Sequence, residues 1–324
     1  MKNDFETFYN SIHDEELEEI WKNAKKEKKK RRIIAIPTIM IIDLIVVFFF
    51  YNFIENFIEK FINNFFGILP YMIIIFPILI IDLFIYLIFV LIFSKNSSKY
   101  NDVFKDKVID KLFKNFFDSV DYIPKKGMPA SVYNEGEYEG FYNRYYSDDY
   151  LEGLIDDKYL VKMAEVTTQH VETKTDSDGS THTETTTIFS GIFAKIKLEK
   201  SIENELRIGR DKTISKKKRL EMDSDEFEKA FDVSCTDEIV GMQILTHDIM
   251  DILLDYRNRL KMPLDIYIKK DTMYIRLHIG KMFEAVINKT DVIDKKILSK
   301  YFDMVEFIYM LSKMMIKIIE DTQI

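Results

Sequence analysis

Two aspartates stand inside the most apolar part of the chain, where a carboxyl group has a strong reason to take part in chemistry. Asp43 and Asp82 each occur in the tetrapeptide Ile-Ile-Asp-Leu, near the middle of apolar runs that cover residues 33–51 and 69–93. Each run reaches the length of about 20 residues that crosses the hydrocarbon core of a bilayer. A charge at that depth costs at least about 2.5 kcal/mol, so we expect these acids to face each other or another copy of the chain, and at least one of them to be protonated.

The two carboxyls are expected at matching depth. Asp43 lies ten residues into the first run, and Asp82 lies eleven residues before the end of the second. At about 1.5 Å of rise per residue, both positions fall near the bilayer midplane. The pair could join two helices as a polar contact, or it could form part of a proton or ion relay. Because two helices enclose no pathway unless they oligomerise or find a partner, we favour the structural role.

No other reactive side chains form a recognised catalytic pattern. Glu165, His170 and Asp237 are acid–base residues that the sequence leaves scattered, so no catalytic residue, cofactor or metal site is predicted. Cys235 is the only cysteine, which excludes an internal disulfide and a cysteine-based metal cluster. It also agrees with a domain that faces a reducing compartment.

The elements that position the two aspartates are predicted to be transmembrane helices joined by an amphipathic link over residues 52–68. Basic residues cluster before the first helix, and others follow the second. Such residues stay on the cytoplasmic side, so both termini are predicted to be cytoplasmic in a multi-pass protein of the cell membrane. The cluster offers contacts to anionic lipid through Lys28, Lys29, Lys30, Arg31 and Arg32.

The chain divides into four predicted segments. Residues 1–32 form a cytoplasmic amphipathic helix (4–24) with its basic flank, and residues 33–93 form the transmembrane hairpin. Residues 94–121 form a juxtamembrane helix, and residues 122–324 a cytoplasmic domain. The predicted class is α+β: an antiparallel sheet with covering helices. The net charge of -8 and the pI of about 5.4 argue against nucleic acid as a partner.

The strongest local prediction is a long β-hairpin. Residues 159–175 and 180–198 alternate in polarity and are rich in β-branched residues. The tip between them resembles part of a calcium loop, but it lacks a third oxygen ligand at the expected spacing and a terminal glutamate. We interpret it as a polar turn that could bind a partner, formed by Asp176, Ser177, Asp178 and Gly179.

Other elements of this domain follow from periodicity. A short helix is predicted around Phe141–Tyr146, and a second hairpin is predicted over 265–279 with its turn at Lys270 and Asp271. Amphipathic helices are predicted over 244–260 and 293–319. Gly191 is expected to mark a bulge or a close backbone approach.

The domain resembles the DUF3137 family of uncharacterised bacterial membrane proteins. The resemblance implies a hairpin followed by a soluble domain, and it implies no activity. Glu165 and Gly191 match family positions without an assigned chemistry. The residues that carry the resemblance run in family order: Tyr146-Ser-Asp-Asp-Tyr-Leu-Glu-Gly, Met163-Ala-Glu-Val, Ile188-Phe-Ser-Gly-Ile-Phe, Met222-Asp-Ser-Asp-Glu-Phe-Glu-Lys-Ala-Phe-Asp-Val, Ile244-Leu-Thr, Met273-Tyr-Ile and Phe283-Glu.

The favoured hypothesis is a membrane-anchored binding, scaffold or regulatory module without enzymatic activity. Its expected partners are membrane lipids and either a protein partner or a second copy of the chain. The alternative is an oligomeric membrane component that moves protons or ions with Asp43 and Asp82. An enzyme is the third hypothesis.

Overall fold

The computed structural model describes residues 4–30, 33–34, 37–39, 41–42, 80, 82–85, 87–88, 95–138, 140–176, 180–210, 219–287 and 290–321. Its contacts divide the chain into two units. The first comprises residues 1–12, 105–284 and 295–324, and the second comprises residues 13–104 and 285–294.

The helices are numbered in chain order, and a π-helical segment, Lys105–Ile109, precedes α4. They are α1 (Phe5–Ser11), α2 (15–30), α3 (Lys95–Phe104), α4 (Asp110–Phe116), α5 (Ala130–Asn134), α6 (Asp225–Glu228), α7 (Glu238–Ile244), α8 (His247–Leu260) and α9 (Lys295–Asp321). The predicted amphipathic helix over 4–24 is thus two helices, since residues 12–14 interrupt it.

The six strands form one antiparallel sheet in the order β1-β2-β3-β4-β5, with β6 also paired to β4. They are β1 (Asp118–Ile123), β2 (Arg144–Ile155), β3 (Tyr159–Thr175), β4 (Thr181–Arg210), β5 (Phe231–Cys235) and β6 (Leu264–Leu277). The long β4 pairs with β3 in its first half and with β5 and β6 further along. The α+β class with an antiparallel sheet and helices is therefore confirmed.

One face of the sheet carries an aromatic cluster. Tyr133 of α5 packs on Phe189 and Phe193 of β4, with ring centroids 5.8 and 5.1 Å apart. Tyr267 and Tyr274 of β6 extend the same cluster. The acidic, tyrosine-rich segment before β2 thus covers this face.

Helix α9 packs against other helices of the first unit, among them α1, α4 and α8. Phe302 packs on Phe116 of α4 with ring centroids 4.9 Å apart, and it also contacts Phe8 of α1. Phe307 stacks on Tyr256 of α8 at 3.9 Å. The helix predicted over 293–319 is present, and it also contacts the sheet, since Glu320 Oε1 accepts hydrogen bonds from the Glu199 and Lys200 N–H groups of β4.

In the second unit, two hydrogen bonds tie residues 285–294 to α3. Asn101 Oδ1 accepts a hydrogen bond from the Ala285 N–H at 2.7 Å, and the Tyr100 hydroxyl donates to the Val292 carbonyl. In α2, the Lys25 ammonium lies 4.6 Å from the centre of the Trp21 ring.

Two predicted elements are wrong. Residues 141–143 have no regular secondary structure and residues 144–146 begin strand β2, where Tyr145 packs against the aromatic cluster while Tyr146 is exposed. That period of two is a strand pattern. The predicted hairpin over 265–279 is one continuous strand, β6, in which Lys270 takes a positive φ of 53° without reversing the chain.

Among the described residues, no helix combines the length and the apolar character that a membrane crossing requires. The predicted link over 52–68 and most of the predicted segments 33–51 and 69–93 lie outside the described residues. The transmembrane hairpin therefore stays a prediction that these helices do not support.

Candidate functional site: a buried carboxylate cluster

The first unit contains a group of acids arranged around one lysine. Asp148, Asp149 and Glu165 have carboxylate oxygens within 4.8 Å of one another. Lys105 contacts Asp149 and also binds Glu284. We call these five residues the carboxylate cluster.

A bulge in β2 brings the two aspartates together. Asp148 pairs with Glu165, and regular pairing resumes only at Leu151, so that Asp149 and Tyr150 together oppose one residue of β3. Asp149 takes a left-handed φ of 54°, which aspartate tolerates better than most residues. A regular strand points consecutive side chains to opposite faces, whereas a bulge redirects one of them. The bulge therefore lets two consecutive acids serve one site.

Glu165 lies on β3, and only one of its two carboxylate oxygens accepts a hydrogen bond among the described residues. Only 4% of its surface is exposed. Its Oε1 accepts a hydrogen bond from the Met282 N–H at 2.6 Å. Its Oε2 is buried and has no hydrogen-bond partner among the described residues. Ala164 and Val166, its neighbours on β3, belong to the aromatic cluster, so Glu165 lies on the opposite face of the sheet.

The loop that supplies the Met282 N–H depends on Gly191 in β4. A Cβ atom at Gly191 would lie 1.8 Å from the Leu277 carbonyl oxygen, at a φ of +156°. Beside it, the Gly280 N–H donates to the Ser190 carbonyl at 3.0 Å. The close approach expected at Gly191 is confirmed, and it lets the chain after β6 turn toward the cluster.

Lys105 supplies the positive charge of the cluster. Its ammonium donates to Asp149 Oδ2 at 2.7 Å and to Glu284 Oε1 at 2.9 Å. The Tyr122 hydroxyl donates to the other Asp149 oxygen, Oδ1. Lys105 begins the π-helical segment, a local geometry that is frequent at functional sites.

The surroundings shift the pKa values of these groups strongly. Burial raises the pKa of Glu165 to about 9, and the nearby charges of Asp149 and Asp148 act in the same direction. Burial also raises the pKa of Asp149 to about 6, although its hydrogen bonds from Lys105 and Tyr122 oppose that rise. Burial lowers the pKa of Lys105, but its contacts with Asp149 and Glu284 outweigh that effect and raise it. At neutral pH the cluster thus holds a proton on Glu165.

One side of the cluster reaches solvent. The Asp149 side chain is fully buried, whereas 37% of the Asp148 side chain and 42% of the Glu284 side chain are exposed. Chemically, such an arrangement can store a proton, hold a cation, or stabilise the fold through its ion pair.

The three acid–base residues named from the sequence, Glu165, His170 and Asp237, do not lie together in one site. Glu165 lies in the carboxylate cluster, while Asp237 caps α7 by accepting a hydrogen bond from the Ile239 N–H at 2.8 Å. His170 packs against Phe141, with ring centroids 5.4 Å apart. His170 pairs with Thr186, four residues from His182 on the neighbouring strand.

The residues predicted to bind partners or lipids are only partly described. Asp176 is exposed at the hairpin tip and contacts His182, whereas Ser177, Asp178 and Gly179 lie outside the described residues. Lys28, Lys29 and Lys30 are the last described residues of α2, and Arg31 and Arg32 lie outside the described residues. Asp82 is a half-buried residue of a helical stretch, and Asp43 lies outside the described residues, so their pairing stays a prediction.

Sequence reasoning missed Lys105, Asp148, Asp149 and Glu284 as members of a site. One local signal was available. The strand-like sequence Tyr-Ser-Asp-Asp-Tyr-Leu contains two consecutive acids, and tyrosine and leucine follow them directly. Such a pair in a buried strand requires a bulge or a partner. The remaining members lie far apart in the sequence, and no spacing rule connects them.

The fold and the cluster define an α+β protein built on a six-stranded antiparallel sheet with a buried group of carboxylates. The family model described as "Protein of unknown function (DUF3137)" matches residues 187–322, less than half of the chain. This match confirms the resemblance to the DUF3137 family over the matched residues, which include β6, α9 and most of β4. The motifs at Tyr146 and Met163 lie ahead of the matched region.

Two further comparisons concern known proteins and solved structures. A search of curated proteins found no match. Among solved structures, the chain is similar to the mycobacterial trehalose monomycolate transport factor A, TtfA, with 7% sequence identity and a TM-score of 0.31. The similarity covers 63% of this chain and 92% of that chain.

Proposed function

We propose that the protein is a membrane-anchored binding module, without enzymatic activity, that presents its sheet domain to the cytoplasm. Its anchor would be the helical hairpin of residues 33–93, since both apolar runs have the length of a membrane span. The observation that carries the binding role is a two-stranded ribbon at the end of the β3–β4 hairpin.

The ribbon consists of residues 172–175 and 181–184. Glu172 pairs with Glu184, and Thr175 pairs with Thr181. All the described residues of the ribbon are exposed. A β-hairpin that extends beyond its sheet has no core to contribute to, so its length needs another reason.

Both edges of the ribbon are open among the described residues. On the β3 side, pairing with β2 ends at Gln169, and the Asn143 side chain then binds the Val171 backbone, with Nδ2 to O 2.7 Å and N to Oδ1 2.9 Å. On the β4 side, pairing with β6 begins only at Ile192. Open edges present unpaired backbone N–H and C=O groups, which an extended segment of a partner can bind by adding a strand.

Charged side chains on the ribbon disfavour non-specific pairing of its edges with other strands. Lys174 lies between two acids, contacting Glu184 and lying 3.0 Å from Glu172 Oε1. Charged side chains on edge strands oppose edge-to-edge aggregation. The partner therefore has to be an extended protein segment that tolerates this mixed charge.

Site-specific photo-crosslinking in cells tests the proposal. A photoreactive amino acid at Thr183 in the ribbon should capture a reproducible protein neighbour. The same photoreactive amino acid at Glu203, further along β4, serves as the matched control and should not capture it. Absence of any reproducible neighbour from Thr183 contradicts the binding role.

A shortened hairpin isolates the ribbon from the rest of the domain. Residues 172–184 are removed, and Val171 is joined to its pairing partner Thr185 through an Asn-Gly turn. The thermal midpoint should stay unchanged, because the removed residues bury no core. Loss of the neighbour is the expected result, and capture of the same neighbour from another exposed position of the shortened protein would exclude the ribbon as the binding surface.

A further inference from the structure

We propose that the carboxylate cluster binds a divalent cation that prefers oxygen ligands, such as Ca²⁺, between Asp148, Asp149 and Glu165. This site is separate from the ribbon, and it adds a ligand to the protein beyond the proposed binding module.

The spacing of the three carboxylates fits such a cation. Their nearest ligand oxygens all lie within 4.8 Å of one another. Ca²⁺ binds oxygen at about 2.3–2.6 Å, so two ligands on opposite sides of the ion are separated by up to about 5 Å. The donors are oxygen atoms alone, which favours Ca²⁺, Mg²⁺ or Mn²⁺ over Zn²⁺ or copper.

The unsatisfied oxygen of Glu165 is an independent indication that the cluster binds a ligand. Buried polar atoms almost always have a hydrogen-bond partner, and an exception needs an explanation. Glu165 is almost fully enclosed, and its Oε2 has no partner among the described residues, although its carboxylate faces both aspartates. A cation at the centre of the three carboxylates would satisfy this atom.

The charge of the cluster also calls for a cation. Among the described residues, the buried ammonium group of Lys105 is shared between Asp149 and Glu284. The ammonium of Lys281 lies 3.9 Å from Asp148, but 69% of that side chain is exposed. Once Glu165 has lost its proton, three carboxylates lie together beside one buried lysine, and a bound divalent ion would balance their charge.

The ligands that already have partners can still coordinate. Each carboxylate oxygen has two lone pairs, so Asp149 can bind a cation while it accepts hydrogen bonds from Lys105 and Tyr122. The exposed part of Asp148 leaves room for the ion to enter and for water to complete its coordination. Glu165 binds the ion as a carboxylate, and its proton passes to solvent.

The test uses the full chain in detergent or nanodiscs, freed of metal by a chelator that is then removed. Isothermal titration with CaCl₂ should show one saturable site, and MgCl₂ and MnCl₂ are titrated in parallel. Tb³⁺, which replaces Ca²⁺ at oxygen sites, should show luminescence when tyrosine is excited, because Tyr122 contacts Asp149. Tyr122→Phe should reduce that luminescence without removing calcium binding.

Two ligand variants and one control decide the assignment. Asp148→Asn and Glu165→Gln should each weaken calcium binding at least about tenfold, an effect that even outer-shell partners of a metal can have. Asp156→Asn removes an exposed acid, paired with Lys313 at 2.6 Å, and should bind like the parent protein. Circular dichroism melting confirms that each variant is folded.

The proposal is overturned if none of the three ions binds at millimolar concentration, since Lys105 would then be the sole cation of the cluster. It is overturned equally if folded Asp148→Asn and Glu165→Gln proteins bind calcium as tightly as the parent, because the ion would then lie elsewhere.

Discussion

Lys105 and Asp149 form an ion pair from which water is nearly excluded, with 7% and 0% of their side chains exposed. Removing one member of such a pair leaves a buried charge without compensation, which costs far more than the intact pair contributes. The energetic role of the lysine is thus to permit the burial of Asp149, whose position depends on the bulge.

Replacing the lysine by an apolar residue of similar length should therefore destabilise the protein strongly. We expect Lys105→Met to lower the free energy of unfolding by about 3–5 kcal/mol, measured by urea denaturation. Lys114→Met is the control, because Lys114 forms an exposed pair with Asp110 and its loss should cost less than about 1 kcal/mol. Equal effects of the two substitutions would contradict the role assigned to Lys105.

Glu165 should make stability depend on pH. Its pKa is raised from an ordinary value of 4.5 to about 9, so between these values the folded protein holds a proton that the unfolded chain has lost. The free energy of unfolding attributable to this residue therefore falls as pH rises through that window. Asp149, with a pKa raised to about 6, acts in the same direction at lower pH.

Glu165→Gln cannot ionise and should lack this slope. In buffer with chelator, the stability of the variant relative to the parent should increase from about pH 5 to about pH 9, by up to about 1.4 kcal/mol per pH unit. Urea denaturation at several pH values measures the difference, and the Asp149 contribution cancels because both proteins contain it. Parallel curves for the two proteins would show that Glu165 ionises normally.

At the residue scale, the sequence identified Glu165 and Gly191 as positions shared with a family, but it did not show what either residue does. Their connection is visible only in three dimensions, since Gly191 admits the backbone that delivers the Met282 N–H to Glu165. Asp148 and Asp149 entered the sequence analysis only within the motif Tyr146-Ser-Asp-Asp-Tyr-Leu-Glu-Gly, because a bulge is not encoded by any simple spacing.

At the scale of elements, the contact between Gly191 and the end of β6 positions the loop that supplies the Met282 N–H to Glu165. We expect Gly191→Ala to force these strands apart, because its Cβ would lie 1.8 Å from a carbonyl oxygen. The free energy of unfolding should fall by more than about 4 kcal/mol, a loss that few single substitutions cause and that a backbone conflict in a core can produce. Hydrogen exchange at the Met282 amide should also accelerate.

Gly280→Ala provides the matched control. Gly280 has a φ of +71°, and no atom lies within 4 Å of the position that an added Cβ would take, so only left-handed strain is added. That strain costs about 1–2 kcal/mol. If Gly280→Ala is as damaging as Gly191→Ala, the close approach at Gly191 is not the decisive contact.

Elements with a strong period were predictable, and elements set by tertiary contacts were not. The β3–β4 hairpin was predicted because its alternation and β-branched residues act locally, although β4 continues to Arg210, well beyond the expected end at Leu198. The polar stretch around Lys270 suggested a turn, but its residues form ion pairs along the strand: Lys269 contacts Glu137, and Asp271 contacts Lys197. Such pairs depend on distant parts of the chain.

At the scale of the whole molecule, the proposed binding module is a sheet domain with a ribbon, held at the membrane by the anchor that the two apolar runs predict. The basic residues before the first run are expected to orient both termini toward the cytoplasm. The ribbon can meet a cytoplasmic partner only if this orientation is right, so the orientation is the central claim.

Thiol labelling in intact cells tests the orientation most directly. Cys235 is the only cysteine, so Cys235→Ser gives a background in which Thr183→Cys places a single exposed thiol in the ribbon. We predict that the protein sediments with membranes and that a membrane-impermeant maleimide modifies this thiol only after the membrane has been permeabilised. Modification in intact cells would place the ribbon outside the cell and contradict the proposed orientation.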